Sequence, residues 1–369
     1  MMGNTYIFAG GGTGGHLYPG LAVAEALRTR QPDAKIIFAC SSRDIDRTIL
    51  DPTGYVSLPQ PILPFPRRVT GLWAFWRAWR ASLKLARECI SREKPRAVLG
   101  LGGFAAGAMV RTAASQGLPT ALLNPDALPG RANAYLARRV DVIFTQFAST
   151  AACFAPPLQK KVRCVGCPVR AELTAGRRDE AVEYFHLDAN KKTLLIFGGS
   201  TLATSVTDAV VALAKDLGAL SKAWQVIFVV GAERQAEIEA KMQEANIGGR
   251  VLAYCDRMDL AYAAADLALA RGGAGTIAEL TAAATPAVVM PYPHHKDRQQ
   301  YHNAAELIER GAAKLVDDHC RADPNAQALR AELLPILQSP AVLEEMHRRA
   351  QIASKPTAAR DVADWLTAS

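Results

Sequence analysis

At two widely separated places in this chain a short apolar run ends in glycines and a helical pattern follows. Tyr6-Ile7-Phe8-Ala9 leads into Gly10-Gly11-Gly12-Thr13-Gly14-Gly15-His16, after which Leu21, Val23, Ala24 and Leu27 recur at helical spacing. Thr193-Leu194-Leu195-Ile196-Phe197 leads into Gly198-Gly199-Ser200, and apolar periodicity resumes from Val206 to Leu217. Few folds open that way twice. Further strand candidates are Lys35–Cys40, Ala97–Leu101, Thr120–Leu123, Val140–Thr145, Trp224–Val230, Leu267–Ala270 and Ala287–Met290, with helical patterns between most of them. Such alternation implies parallel sheets covered by helices on both faces. The chain has 369 residues, more than one hydrophobic core usually supports. The fold class is therefore α/β, with two doubly wound, Rossmann-like domains. Two such sheets side by side would leave a cleft at the carboxyl ends of their strands, where ligands bind.

A turn signal at Gly166-Cys167-Pro168 marks the expected boundary, giving domains of 1–167 and 168–356. Thr357 to Leu366 reads as a capped helix with Ala359, Val362, Ala363 and Leu366 on one face, and 357–369 is free to pack back onto the first domain. Five prolines between Pro52 and Pro66 predict an extended loop. Charge divides the halves: residues 1–170 carry a net +13 and the remainder −5. A basic half suggests an anionic partner, whether nucleic acid, an anionic membrane surface or a phosphorylated substrate. The uncharged stretch Ala97–Val110 is short and rich in glycine, so a bilayer-spanning helix is not expected there or elsewhere. No secretory leader is expected before Gly10, and seven scattered cysteines suggest free thiols in a reducing cytoplasm.

Several segments carry chemistry. Glycines let the first loop approach a ligand closely, and the helix start behind it offers unpaired N–H groups to an anion. His16, at the mouth of that loop, can either take a proton near neutral pH or simply cap and pack the helix start. Gly100-Leu101-Gly102-Gly103-Phe104 is a second such loop, readable as a tight turn or as a binding element. Arg271-Gly272-Gly273-Ala274-Gly275-Thr276-Ile277-Ala278-Glu279 follows a strand and opens a helix suited to a diphosphate. Glu279 can accept both hydroxyls of a ribose, or can simply favour the helix dipole. Pro291 to Gln300, followed by Asn303-Ala304, is dense in groups that hydrogen-bond sugar hydroxyls. His294-His295 is not expected to hold a metal, because adjacent side chains diverge. Cys164 and Cys167 read as ordinary thiols rather than a redox or zinc pair.

The region Phe65–Lys84 is the most unusual in composition. Leu72, Trp76, Trp79 and Leu83 form a stripe at helical spacing, and Arg77, Arg80, Lys84 and Arg87 form a basic ridge beside it. Aromatics beside cations suit the headgroup level of an anionic membrane; the alternative is a core helix with a solvated edge. No nucleic-acid-reading motif accompanies them, so nucleic acid is not an expected partner.

Together these motifs resemble the MurG family of N-acetylglucosaminyltransferases over nearly the whole chain. The likeness is strongest at Gly11–His16 with Pro19-Gly20-Leu21-Ala22, Gly100–Phe104, Gly273–Glu279, and His295–Gln300 with Asn303-Ala304. The resemblance implies a GT-B fold, two facing domains with the site in the cleft. It implies transfer of N-acetylglucosamine from UDP-N-acetylglucosamine to the C4 hydroxyl of lipid I, giving lipid II, with inversion, at the cytoplasmic face of the inner membrane. It places Thr13, Gly14, Gly15 and His16 beside the diphosphates, with His16 as candidate base. Ser200 and Ala274, Gly275, Thr276, Ile277, Ala278 and Glu279 would hold UDP, with Glu279 on the ribose. Gln299 and Gln300 would hold the sugar and ribose, and Arg170 would contact the donor. No cofactor or metal is implied, because helix N-termini and arginine can stabilise the leaving diphosphate. The chain departs from the family pattern at Leu202, where a glycine is usual, at Leu123-Asn124-Pro125-Asp126, where His-Glu-Gln-Asn is usual, and at Cys167, where an Asn precedes the proline. Asp126 thus brings a carboxylate to the expected substrate site. Related lipid glycosyltransferases with another acceptor, UDP-sugar 2-epimerases and a weakly active UDP-sugar-binding paralogue are the competing readings.

Overall fold

The computed structural model describes residues 4–66, 68–198 and 204–369. The chain forms two compact units, one of 1–170 together with 356–369 and one of 171–355.

In the first unit the strands are β1 (Thr5–Gly10), β2 (Lys35–Ser41), β3 (Val56–Gln60), β4 (Ala97–Gly102), β5 (Thr120–Asn124), β6 (Val142–Thr145) and β7 (Val162–Cys164). They form one parallel sheet in the order β3-β2-β1-β4-β5-β6-β7. β1 is buried along its whole length, as a parallel strand covered on both faces must be. Tyr6 and Phe8 point into a core with Leu17, Leu21, Val362 and Leu366. Ile7 and Ala9 point into the opposite core with Cys89, Ile90, Met109 and Val110. The C-terminal helix Ala358–Ala368 therefore belongs to this unit's core, burying Ala358, Val362, Ala363 and Leu366. Ala358 is buried on that face where Ala359 was expected, and Ala359 is half-buried.

The proline-rich segment is not all loop. β3 lies within it at the sheet edge, pairing only with β2, and Pro59 sits in register with Cys40. Proline lacks the N–H that a central strand would need, and an edge strand tolerates the loss.

In the second unit the strands are β8 (Lys192–Phe197), β9 (Trp224–Val229), β10 (Gly249–Leu252), β11 (Leu267–Ala270), β12 (Ala287–Val289) and β13 (Ala313–Leu315). Their parallel order is β10-β9-β8-β11-β12-β13. Leu194 and Ile196 pack with Val206, Val210, Leu329 and Leu333. Helicity from Val206 to Leu217 is broken into Thr204–Ala212 and Ala214–Gly218.

Strand order reverses between β1 and β4 in one sheet and between β8 and β11 in the other. The connections leaving neighbouring strands then go to opposite faces, and a concavity opens at the carboxyl edge. The sequence-identified glycine loops after β1, β4 and β11 lie at these points.

Candidate active site

In the first unit the loop after β1 is fixed by a carboxylate. Asp46 is fully buried and accepts hydrogen bonds from the Gly12 N–H at 2.7 Å, the Ser41 N–H at 2.8 Å and the Ser41 hydroxyl at 2.7 Å. Arg43 donates to the Gly12 carbonyl at 3.1 Å and lies over the Phe104 ring. The helix Gly14–Arg30 then begins with no acidic residue in its first turn, as an anion-binding N-terminus requires.

His16 sits half-buried between two glycine loops. Its Nδ1 is 2.9 Å from the Thr13 hydroxyl. Gly102 and Gly103 adopt φ of +98° and +71°, and a Cβ on Gly102 would stand 2.9 Å from the His16 ring. The second loop is thus the backbone wall against which the imidazole lies, and side chains there would displace it. Burial pulls the His16 pKa below its ordinary 6.5; the Asp46 charge and the Gly11 backbone pull weakly the other way. The ring is neutral around pH 7, the form that can accept a proton.

Asp126 is half-buried beyond the end of β5, and its carbonyl accepts from Asn124 Nδ2 at 2.6 Å. Asn133 donates to both Asn124 Oδ1 and the Leu123 carbonyl, tying this connection to the helix Arg131–Leu136. Arg170 lies within this compact unit, its guanidinium 5.9 Å from the Tyr18 ring centre.

In the second unit the helix Ala274–Ala282 starts directly after the β11 loop, with Gly273 as its N-cap and no acid in its first turn. The first-turn N–H groups of Ala274, Gly275 and Thr276 have no partner within the helix. Ile277 and Ala278 turn into the core. Glu279 follows on the half-buried face, where its Oε2 accepts from the Tyr262 hydroxyl at 3.1 Å. Tyr262 is 2 % exposed, and burial beside Glu279 raises its pKa well above 10, so it is a permanent donor.

Gln300, in the first turn of the helix Gln299–Glu309, reaches back to the β11 loop. Its Oε1 accepts from the Gly272 N–H at 3.2 Å and the Tyr292 N–H at 2.8 Å. Asn303 Nδ2 donates to the Gly272 carbonyl at 3.2 Å. Gln299 is half-buried beside it, its N–H bound to Asp297. Ser200 lies outside the described residues, as does Leu202.

Sequence reasoning missed Asp46, Arg43, Tyr262, Ser205 and Asp318. For Arg43 and Asp318 the available signal was a polar residue soon after a strand, as in Ser42-Arg43 after β2 and Asp317-Asp318 after β13; Tyr262, inside a helix, carried none.

Two parallel sheets with glycine loops and acid-free helix starts at their switch points are the architecture of a nucleotide-sugar enzyme. Residues 6–145 match the glycosyltransferase family 28 N-terminal domain, and residues 193–362 match the family 28 C-terminal domain. The chain is 33% identical over 319 residues, 85% of each chain, to the UDP-N-acetylglucosamine–N-acetylmuramyl-(pentapeptide) pyrophosphoryl-undecaprenol N-acetylglucosamine transferase of Halothermothrix orenii. The crystal structure of Acinetobacter baumannii MurG superposes with a TM-score of 0.77 at 24% identity, covering 99% of each chain. A UDP-GlcNAc 2-epimerase from Neisseria meningitidis, bound to UDP-GlcNAc, shares the fold with a TM-score of 0.70 at 13% identity, covering 99% of this chain and 100% of its own. The chain belongs to the MurG family of N-acetylglucosaminyltransferases.

Proposed function

We propose that this chain moves N-acetylglucosamine from UDP-N-acetylglucosamine to the C4 hydroxyl of undecaprenyl-diphosphate-linked N-acetylmuramyl-pentapeptide, converting lipid I to lipid II. The observation that carries this reading is the junction of the β11 loop with Gln300, together with the Tyr262–Glu279 pair on the helix that this loop opens. It groups in one unit a helix start suited to a diphosphate, a carboxylate suited to a ribose and an amide suited to a sugar. The family relationship supplies the reaction.

In this reading the acceptor hydroxyl attacks the anomeric carbon from the face opposite UDP. The new C–O bond forms as the bond to the β-phosphate oxygen breaks, which inverts the centre. The hydroxyl proton passes to a base, for which neutral His16 is the candidate. Charge on the departing diphosphate is met by N–H groups at the start of the Ala274 helix. In the first unit Thr13, Gly14, Gly15 and Arg170 gather at the start of the Gly14 helix, a second place suited to a phosphate. Gln299 and Gln300 hold the donor sugar and ribose in this reading, Asp126 is a candidate substrate contact in the first unit, and Ser200 is a candidate UDP contact.

The acceptor is held at a lipid surface. No helix among the described residues is long and apolar enough to cross a membrane. Leu63, Phe65, Val69, Trp73 and Trp76 are exposed, and Arg68, Arg77 and Arg80 are exposed among them. This patch would meet anionic lipid at the cytoplasmic face, making the protein peripheral.

Purified protein with UDP-N-acetylglucosamine and lipid I should give lipid II and UDP. Isomerised sugar without lipid II would identify an epimerase instead. Donor binding without turnover would identify a binding protein.

A further inference from the structure

Under the candidate donor site lies a buried ion pair that the reaction scheme does not use. Arg271, the residue after β11, is 5 % exposed, and Asp318, shortly after β13, is 7 % exposed. Arg271 Nη2 is 2.8 Å from Asp318 Oδ2. The same Nη2 donates to the Ser205 hydroxyl at 2.7 Å, and Ser205 donates to Asp318 Oδ2 at 2.7 Å. Arg271 Nη1 donates to the Met290 carbonyl at 2.9 Å and the Pro291 carbonyl at 3.1 Å. The other carboxylate oxygen of Asp318 accepts from the Cys320 N–H and from Asn325 Nδ2.

Each partner belongs to a different connection. Ser205 lies in the first turn of the helix after β8, Arg271 heads the β11 loop, Met290 and Pro291 follow β12, and Asp318 follows β13. One planar guanidinium therefore joins four strand ends at the carboxyl edge. Its fork of N–H groups can serve several acceptors at once, which a lysine ammonium cannot reproduce in a plane. Burial pushes the Asp318 carboxyl up, but the hydrogen bonds from Ser205, Asn325, Cys320 and Arg271 prevail and hold it below its usual range.

We infer that the Arg271–Asp318 pair, bridged by Ser205, is a positioning device for the donor diphosphate. It holds the β11 loop in register with the helix Thr204–Ala212 and with the ends of β12 and β13, so that the start of the Ala274 helix presents its N–H groups to the pyrophosphate. The inference rests on the proposed donor reading. The three residues act through the backbone they hold and are positioning residues.

The test compares UDP with uridine by titration calorimetry, in the wild-type chain and in Ser205→Ala and Asp318→Asn. A positioning role for the diphosphate predicts that UDP affinity falls about tenfold, on the scale of one lost charge-assisted hydrogen bond, while uridine affinity stays within about twofold. Equal losses for UDP and uridine, or no loss in a folded variant, overturn the inference. Ser205→Ala leaves both charges paired, so it carries the test if Asp318→Asn does not fold. Wild-type protein that binds neither ligand overturns the donor reading itself, an outcome distinct from a variant effect.

Discussion

Gly272 and Gln300 are locked together: the Gly272 N–H donates to Gln300 Oε1, and a Cβ on Gly272 would stand 2.4 Å from the Gln300 carbonyl oxygen. That oxygen belongs to a helix backbone and cannot turn aside as a flexible side chain would. Gly272→Ala should therefore push the helix Gln299–Glu309 away from the β11 loop. The expected cost is about 1–3 kcal/mol of stability, the range for overpacking. The donor KM should rise with it. Thermal melting and donor kinetics check this; an unchanged KM in the folded variant would show that the junction does not shape the donor site.

Glu279 and Tyr262 separate two contributions to donor binding. Glu279→Ala removes the carboxylate and should raise the donor KM at least about tenfold, as loss of a hydrogen bond to a charged group does. Tyr262→Phe leaves the carboxylate but removes the donor on Oε2, so its effect should be smaller, about 1 kcal/mol. Kinetics with a 2′-deoxyuridine donor give the decisive comparison. Discrimination against it should shrink in Glu279→Ala, and equal discrimination in wild type and variant would remove Glu279 from the ribose.

The central strands and the glycine loops were legible because both signals are local. A buried parallel strand reads as a short apolar run, and a loop that must approach its neighbours closely reads as glycine. Edge strands β3, β7, β10 and β13 were not read, since a half-covered strand has no continuous apolar run, and Pro59 argued against β3. The aromatic stripe was read as a single face, and the structure divides it. Trp79 and Leu83 pack on Ile62, Ala105 and Ala108, while Trp76 is 53 % and Trp73 72 % exposed. Asp46 and Asp318 escaped notice because each reaches groups far off in sequence: 34 residues separate Asp46 from Gly12.

The His16 pKa lies below 6.5 because burial penalises the imidazolium. For a base acting as neutral imidazole, kcat/KM should be flat through pH 7 and fall on an acid limb below 6.5. Asp46 raises the His16 pKa, so Asp46→Asn should move that limb further towards acid. Linkage has a matching sign. Below pH 6.5 the unfolded chain binds a proton at this histidine that the folded chain resists, so the contribution of His16 to stability falls as pH falls through that window. A wild-type acid limb above 6.5, or one retained in His16→Ala, excludes His16 as the base.

The two halves of the aromatic helix should respond differently to substitution. Trp73 and Trp76 are exposed at its start, with the Arg77 guanidinium 4.8 Å from the Trp73 ring centre. Replacing both with Ser removes apolar area that a bilayer surface would cover, and touches little of the core. Binding to phosphatidylglycerol vesicles should drop while the melting temperature holds. Trp79→Ser should do the reverse. Its ring packs over Gly107 and stacks on Phe75, so its loss should cost about 3 kcal/mol, as for large aromatic truncations. Added salt should weaken wild-type vesicle binding, because exposed Arg77, Arg80 and Lys84 contribute through screened charge. Vesicle binding that survives the Trp73 and Trp76 double change, or is equal on neutral and anionic lipid, rules out this patch as the membrane contact.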